Sequence, residues 1–361
     1  MRVAIHTGQL LQPVPGGIGR YEIALLWRLH DYGVDATAFA AGPRPDGVAP
    51  HVPWIDIGWP RGGARYELWH RARRPIVRVP ADVVHAPSLA IPPVSGRPLV
   101  VTAHDVAFLR IPHVTTKRGV RFHRRGLELA RRHADLVVTP SQFTRLELVH
   151  EGFDPARLEV APFGVSPAMP RDDADLDAAV ERCGVRAPYV LTVGTIEPRK
   201  DLPTIVHAVE SVRTTHPDLT LVIVGPRGWG EVRGLDRDFV RVLGEQPWPE
   251  VDALYRRASV FCAASIYEGF GLPAAESMVR GVPTVVTTGS SLVEVVGDAG
   301  ACFDPGDVEA CAAELRRVLD DDDWRADLAD RGRARAAELT WELCAQRHAE
   351  VFARALTLAG S

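Results

Sequence analysis

At 361 residues, with 46% hydrophobic residues and 31 glycines, the chain is long enough for about two α/β domains, each with its own core, and is excluded from the disordered class. A formal net charge of -4 offers no global attraction for nucleic acid, so charge arguments must be local. The five cysteines, Cys183, Cys262, Cys302, Cys311 and Cys344, are dispersed without Cys-x-x-Cys spacing, which argues against a disulfide framework and a zinc site. The opening Met1-Arg-Val-Ala-Ile-His6 lacks a signal-peptide pattern, and no run approaches the ~20 apolar residues of a membrane span. A cytoplasmic protein is expected.

In chain order, the first half alternates apolar β-branched runs, Val3 to His6, Ala81 to His85, Leu99 to Ala103 and Leu136 to Thr139, with amphipathic stretches such as Arg20 to His30. This is the rhythm of a parallel sheet covered on both faces. Gly16-Gly17-Ile18-Gly19-Arg20-Tyr21 starts too far beyond the first strand for a dinucleotide fingerprint. It reads as a mobile glycine loop facing a cleft, with Gly16 and Gly17 toward a ligand, or as a plain loop. His104 closes the strand Leu99 to Ala103; a lone histidine is usually structural, but its strand-end place favours an active-site role. Between Arg61 and Arg132 fifteen Lys or Arg face four acids, so this lobe is basic.

Turn formers and acids over Phe163 to Asp175 mark a hinge. The expected domains are 1–165, a linker at 166–175, and 176–340. A helical segment 341–361 either caps the second domain or crosses back to the first.

The second half repeats the rhythm with Tyr189 to Val193, Leu219 to Val224, Val260 to Ala263 and Thr284 to Thr287. Two doubly wound, Rossmann-like domains follow. After Val260 to Ala263 comes Ser265-Ile-Tyr-Glu268-Gly269-Phe270-Gly271-Leu272-Pro273-Ala-Ala-Glu276. Pro273 suits a first helical position and Gly281 a C-terminal cap, predicting a short helix from about 273 to 280. Its N-terminus, preceded by two glycines, suits a diphosphate. Glu268 and Glu276 on either side then make sense as acceptors for sugar hydroxyls. Gly194-Thr195-Ile-Glu-Pro-Arg199-Lys200 leaves the first strand of this domain with two cations, which oppose the dipole of the next helix and so favour a bound anion. Ser290-Ser291-Leu292 supplies another helix N-terminus. Gly225 and Val242-Leu243-Gly244 read as loops at strand ends that could contact a base or simply turn the chain. Asp-x-Asp spacings at Asp173, Asp236 and Asp320 to Asp323 fall in charged surface stretches and read as solvated, so no metal or other cofactor is expected.

With these residues in place the chain resembles the retaining GT-B glycosyltransferases of family four, also called glycosyltransferase group 1. The runs that carry the likeness are Gly16 to Tyr21, Thr102 to Asp105, Val138 to Thr144, Pro162 to Val165, Gly194 to Leu202, Glu268 to Glu276 and Gly281 to Gly300. The resemblance implies two Rossmann-like domains facing across a cleft, the first binding the acceptor and the second a nucleotide sugar. It implies that Glu276 holds the donor ribose and Glu268 the donor sugar, with amides of Phe270, Gly271 and Leu272 around sugar and phosphate. It further implies that Arg199 and Lys200 neutralise the diphosphate and that His104 approaches the donor sugar. Front-face retention without a metal is likewise an implication of the family. Many relatives carry Arg where Thr195 stands, which shifts phosphate neutralisation onto Arg199 and Lys200. The Glu-Pro-Arg-Lys form resembles that of members using GDP-mannose or related donors in surface-polysaccharide assembly. The alternatives are an epimerase or phosphorylase of the same fold, or a two-lobed sugar-binding protein. The expected partners are the nucleotide sugar, a saccharide or lipid-linked acceptor, and an anionic membrane touched by Lys117 to Arg132, which otherwise is a solvated basic helix.

Overall fold

The computed structural model describes residues 1–360. It divides into two compact units, residues 1–112, 117–164 and 341–360 forming one, and 113–116 with 165–340 the other. The first unit holds a fully parallel sheet of β1 (Arg2–His6), β2 (Asp35–Ala40), β3 (Trp54–Asp56), β4 (Val83–Ala86), β5 (Leu99–Thr102), β6 (Leu136–Thr139) and β7 (Leu158–Val160). Their spatial order is β3-β2-β1-β4-β5-β6-β7. The second holds β8 (Tyr189–Val193), β9 (Thr220–Val224), β10 (Val240–Gly244), β11 (Val260–Ala263), β12 (Thr284–Thr287) and β13 (Gly300–Phe303), ordered β10-β9-β8-β11-β12-β13. In each sheet the winding reverses once, between β1 and β4 and between β8 and β11, and at such reversals the loops beyond the strand ends part to leave a crevice.

Central strands are apolar on both sides: every residue of β5, β6 and β12 is buried, as expected where helices cover both faces. The second core gathers Ile205, Val209 and Val212 from the helix Leu202–Val212 against Leu221, Ile223, Val260 and Val285.

Several boundaries differ from expectation. Asp172 caps the helix Asp173–Arg182 by accepting from the Asp175 amide at 2.8 Å, so the end of the expected 166–175 linker is a first helical turn and the second unit begins at Val165. Acids favour that position because it is the positive end of the helix. The glycine run is likewise no mobile loop: Gly16 and Gly17 open the helix Gly16–Arg28. Leu243 lies within β10, not in a loop beyond a strand. The register jumps between Val242 and Gly244, leaving Leu243 as the extra residue of a bulge.

The helix Trp341–Gly360 belongs to the first unit. Arg28 binds Glu342 at 2.7 Å, and a buried polar chain fixes the helix further. His348 Nδ1 lies 2.7 Å from the Cys344 carbonyl, which can only accept, so the proton is on Nδ1. Burial, aided by His104 and only partly opposed by the Cys344 backbone bond, sets the pKa of His348 down at about 4, so the ring is neutral and Nε2 accepts from the Tyr21 hydroxyl at 2.6 Å. Tyr21 oxygen then accepts from Thr102 at 2.8 Å, and Thr102 from His85 Nε2 at 2.9 Å. Every proton in the chain is thereby assigned. Tyr21→Phe leaves His348 Nε2 without its donor, and should lower stability by about 1–3 kcal/mol in urea unfolding followed by circular dichroism.

Candidate functional site

The site in the second unit grows from the ends of β8 and β11, neighbours in the sheet although far apart in sequence. After β8 the chain crosses Gly194 and tightens into a 3-10 turn, Pro198–Lys200. The loops there are stitched together: Gly194 donates to Val224, and Gly225 to Gly244, each at 2.8 Å. A side chain at 225 would meet the Gly194 carbonyl 2.1 Å away. Gly225 is thus required by close loop packing, and the Thr195 methyl lies against Gly228.

After β11 the loop reaches Gly271, in the left-handed region at φ 103°, and the helix Leu272–Val279 begins one residue earlier than expected. Ser291 holds that loop. Its hydroxyl donates to the carbonyls of Glu268 at 2.8 Å and Phe270 at 3.0 Å, so its side chain fastens the loop instead of facing a ligand. Leu292 packs on Gly271, where a Cβ would lie 2.4 Å from its methyl. Lys200, Ser265, Glu268, Gly271, Pro273 and Leu292 line one crevice.

Glu268 is the electrostatic centre. It is 9% exposed, with Lys200 Nζ at 2.6 Å from Oε1 and Arg199 at 2.9 Å from Oε2. Arg199 also binds Glu197 at 2.7 Å and donates to the Tyr267 carbonyl at 2.7 Å. Glu197 is 1% exposed. Two cations and two carboxylates therefore balance each other, and the cations that oppose the next helix's dipole are matched within the protein. Burial alone would raise the Glu268 pKa, but the charges of Arg199 and Lys200, with hydrogen bonds from Lys200 and Ser265, hold it down at about 2.

Glu276, 4% exposed, accepts from the Tyr255 hydroxyl at 3.1 Å. Arg280 donates to the Glu276 carbonyl at 2.9 Å and pairs at 2.7 Å with Asp252, both side chains wholly buried. Its guanidinium lies 5.2 Å from the Trp248 ring and 5.4 Å from Tyr255. Tyr255 and the Asp252–Arg280 pair escaped the sequence reading. Asp252 and Tyr255 lie in a helix and Arg280 just after one, where an aromatic and an isolated ion pair look like ordinary core and surface; only the spacing of Asp252 and Tyr255 on one helical face hints at a shared neighbour.

In the first unit, His104 Nε2 donates to the Pro87 carbonyl at 2.6 Å, so Nδ1 is an acceptor; it is buried without a hydrogen-bond partner. Burial lowers the pKa of this ring, which favours the neutral form.

Among the described residues no group of three or more His, Cys, Asp or Glu could hold a metal ion, and no helix is long and apolar enough to cross a membrane. Asp173 pairs with Arg257 at 2.9 Å, and Asp321 caps the helix Asp322–Ala336.

The depressed Glu268 pKa has a pH consequence. The folded-state value lies below the ordinary 4.5, so its stabilisation is complete above about pH 4.5 and is lost as pH falls toward 2. The difference amounts to roughly 3 kcal/mol. Glu268→Gln should flatten that part of the stability profile, measured by denaturant unfolding at stepped pH.

The family described as "Glycosyl transferases group 1" matches residues 177–335, and "Glycosyltransferase Family 4" matches 15–169. The "O-antigen chain mannosyltransferase B" of Escherichia coli is 34% identical over 73% of this chain and 71% of its own. The "MMP alpha-(1->4)-mannosyltransferase" of Mycolicibacterium hassiacum is 28% identical over 94% of this chain and 95% of its own. Among solved structures, Anabaena HepE in complex with UDP and glucose superposes with a TM-score of 0.76 at 19% identity, covering 98% of this chain and all of that one. Sucrose-phosphate synthase of Thermosynechococcus elongatus gives 0.76 at 20% identity, each chain covered completely. The fold is that of the GT-B glycosyltransferases, and the chain belongs to the group 1, family 4 glycosyltransferases.

Proposed function

We propose that this glycosyltransferase moves mannose from GDP-mannose to a saccharide or lipid-linked acceptor in cell-surface polysaccharide or glycoconjugate assembly, with retention and without a metal. The observation that carries the reading is the cluster of Arg199 and Lys200 on Glu268 at the β8/β11 switch point, where a doubly wound sheet takes its ligand. The mannosyl choice draws on the two mannosyltransferase relatives.

In this reading Glu276, held by Tyr255, accepts from the donor ribose. Glu268 accepts from sugar hydroxyls, and its low pKa keeps it an acceptor at physiological pH. Arg199, Lys200 and the amides of Gly269 to Leu272 take the diphosphate; Thr195, Gly225, Leu243 and Leu292 border the nucleotide. As the resemblance implies, His104 approaches the donor sugar near its anomeric carbon or distal hydroxyl. The acceptor oxygen bonds to the anomeric carbon on the face from which the phosphate leaves. The departing nucleoside diphosphate keeps the electron pair of the broken C–O bond and takes the acceptor's proton. Developing negative charge on that leaving group is what two nearby cations stabilise.

Glu276→Ala should mainly raise the KM for donor, and Glu268→Ala should suppress kcat by about 100-fold or more, the scale of a lost transition-state contact. Radiolabelled sugar transfer measures both. Full activity in both variants, or nucleotide release with no acceptor glycoside formed, overturns the reading.

Peripheral contact with an anionic membrane is part of the proposal. On the helix Lys117–His133, Arg131 and Arg132 bind Glu128, whereas Lys117, Arg118, Arg121 and Arg124 are exposed. Phe122 of this helix stacks on His70, centroids 4.5 Å apart, which places it beside the helix Gly62–Ala72. There Leu68, 42% exposed, and Ile76, 44% exposed, border an open cavity with Arg74 and Arg78. Arginines around protruding apolar side chains suit an anionic interface. Sedimentation with phosphatidylglycerol vesicles should exceed that with phosphatidylcholine and fall in the R118Q/R121Q/R124Q variant; equal sedimentation removes the contact.

A further inference from the structure

Glu276 stands in the short helix Leu272–Val279, one turn beyond Pro273, which borders the crevice. A glutamate there is flexible, and holding it in one rotamer costs side-chain entropy. Two neighbours hold it in advance. Tyr255, wholly buried, has one hydroxyl proton and two acceptors within reach, Glu276 Oε2 at 3.1 Å and the Pro273 carbonyl at 3.3 Å. Its hydroxyl thus ties the carboxylate to the turn that borders the crevice. The ring is held in place by Phe261, centroids 5.8 Å apart, and by the Arg280 guanidinium 5.4 Å from its centre. Arg280 directly follows the helix. The Glu276 carbonyl is among the last four of that helix, which lack partners inside it, and Arg280 donates to it at 2.9 Å. A cation also suits the negative end of a helix dipole. The guanidinium is fixed in turn by its Nε bond to Asp252 at 2.8 Å and by the Trp248 ring 5.2 Å away. Trp248, Asp252 and Tyr255 fall on one face of the helix Trp248–Arg257. That face therefore supports Glu276 twice, at its side chain through Tyr255 and at its backbone through Arg280.

We propose that Tyr255 and Arg280 are positioning residues: they hold the Glu276 carboxylate in the orientation that accepts from the ribose hydroxyls of a nucleoside diphosphate, and so set how strongly the protein distinguishes ribose from a sugar lacking those hydroxyls. The proposal rests on the ribose role of Glu276 given above. A carboxylate offers about four acceptor positions and the Tyr255 bond uses one of them, which leaves capacity for a diol. A group locked in its bound geometry before the ligand arrives loses less entropy on binding. Both residues act through Glu276 and need not touch the nucleotide.

The test is isothermal titration calorimetry of the full chain with GDP and with UDP, each compared with its 2′,3′-dideoxy form. The ratio of the two affinities isolates the hydroxyls, because base and diphosphate are common to both forms. For the nucleotide that binds, Tyr255→Phe should lower this ratio about 5-fold, the scale of one hydrogen bond, and leave the dideoxy affinity unchanged. A substitution that merely loosened the fold would weaken both forms alike. Arg280→Lys keeps a charge beside Asp252 but loses the fork that reaches the Glu276 carbonyl; it should lower the ratio in the same direction, and it decides if Tyr255→Phe fails to fold. An unchanged ratio in the folded variants, or an equal fall of both affinities, overturns the positioning role while leaving the ribose reading intact. An undiminished ratio in Glu276→Gln, or binding of neither GDP nor UDP, refutes the ribose reading itself, and positioning toward ribose falls with it.

Discussion

The second unit turns on one electrostatic contact, the grip of Arg199 and Lys200 on Glu268. The cations leave β8 and the carboxylate leaves β11, so the contact exists only because those strands are adjacent and parallel. Adjacency follows from a sheet that winds outward from β8 in both directions. Loops at its ends are then fastened by Ser291 from one side and by the Gly194–Gly225 approach from the other. Charges brought this close in a buried place are costly unless paired, which explains why Glu197 accompanies Arg199 and why no cation of the cluster stands alone.

Much of this was legible in the sequence. The strands Tyr189–Val193, Val260–Ala263 and Thr284–Thr287 are apolar runs bounded by turn residues, and buried parallel strands have that signature. The strands at one side of the first sheet were not legible. β3 has three residues, and β2, Asp-Ala-Thr-Ala-Phe-Ala, is alanine-rich; their strand state is imposed by pairing with β1 and one another, since propensity alone would not choose it. Glycine misled in the opposite direction. Gly16 and Gly17 look like a flexible loop, yet the helix they open is fixed by Tyr21 against His348, a contact made across most of the chain length.

The residues of the candidate site divide the same way. Glu268, Glu276, Arg199 and Lys200 could be found because each sits in a short run where glycine, proline and charge break the pattern of strand or helix. Tyr255, Asp252 and Arg280 could not, because they conform to it. What singles them out is burial of charge and hydroxyl, a tertiary property. Ser291 was visible as a helix-start residue, but which oxygen it would reach depended on where the Glu268 loop folded.

Two buried glutamates show how far the neighbourhood determines chemistry. Glu22 lies in the helix Gly16–Arg28 at 1% exposure. Desolvation dominates there, only partly opposed by a bond from the Leu10 backbone, and its pKa is pushed well above the usual carboxylate range. Glu268 also carries a burial penalty, yet Arg199 and Lys200 reverse its sign. A neutral Glu22 can serve as a donor or simply fill space, whereas an ionised Glu268 can only accept. Since sugar hydroxyls donate well to carboxylates, the cations confer on Glu268 the state a sugar-binding role requires. In the proposed reading the same two charges lie next to the place where a diphosphate would gain negative charge on leaving, so one pair of side chains would serve both the resting carboxylate and the departing phosphate.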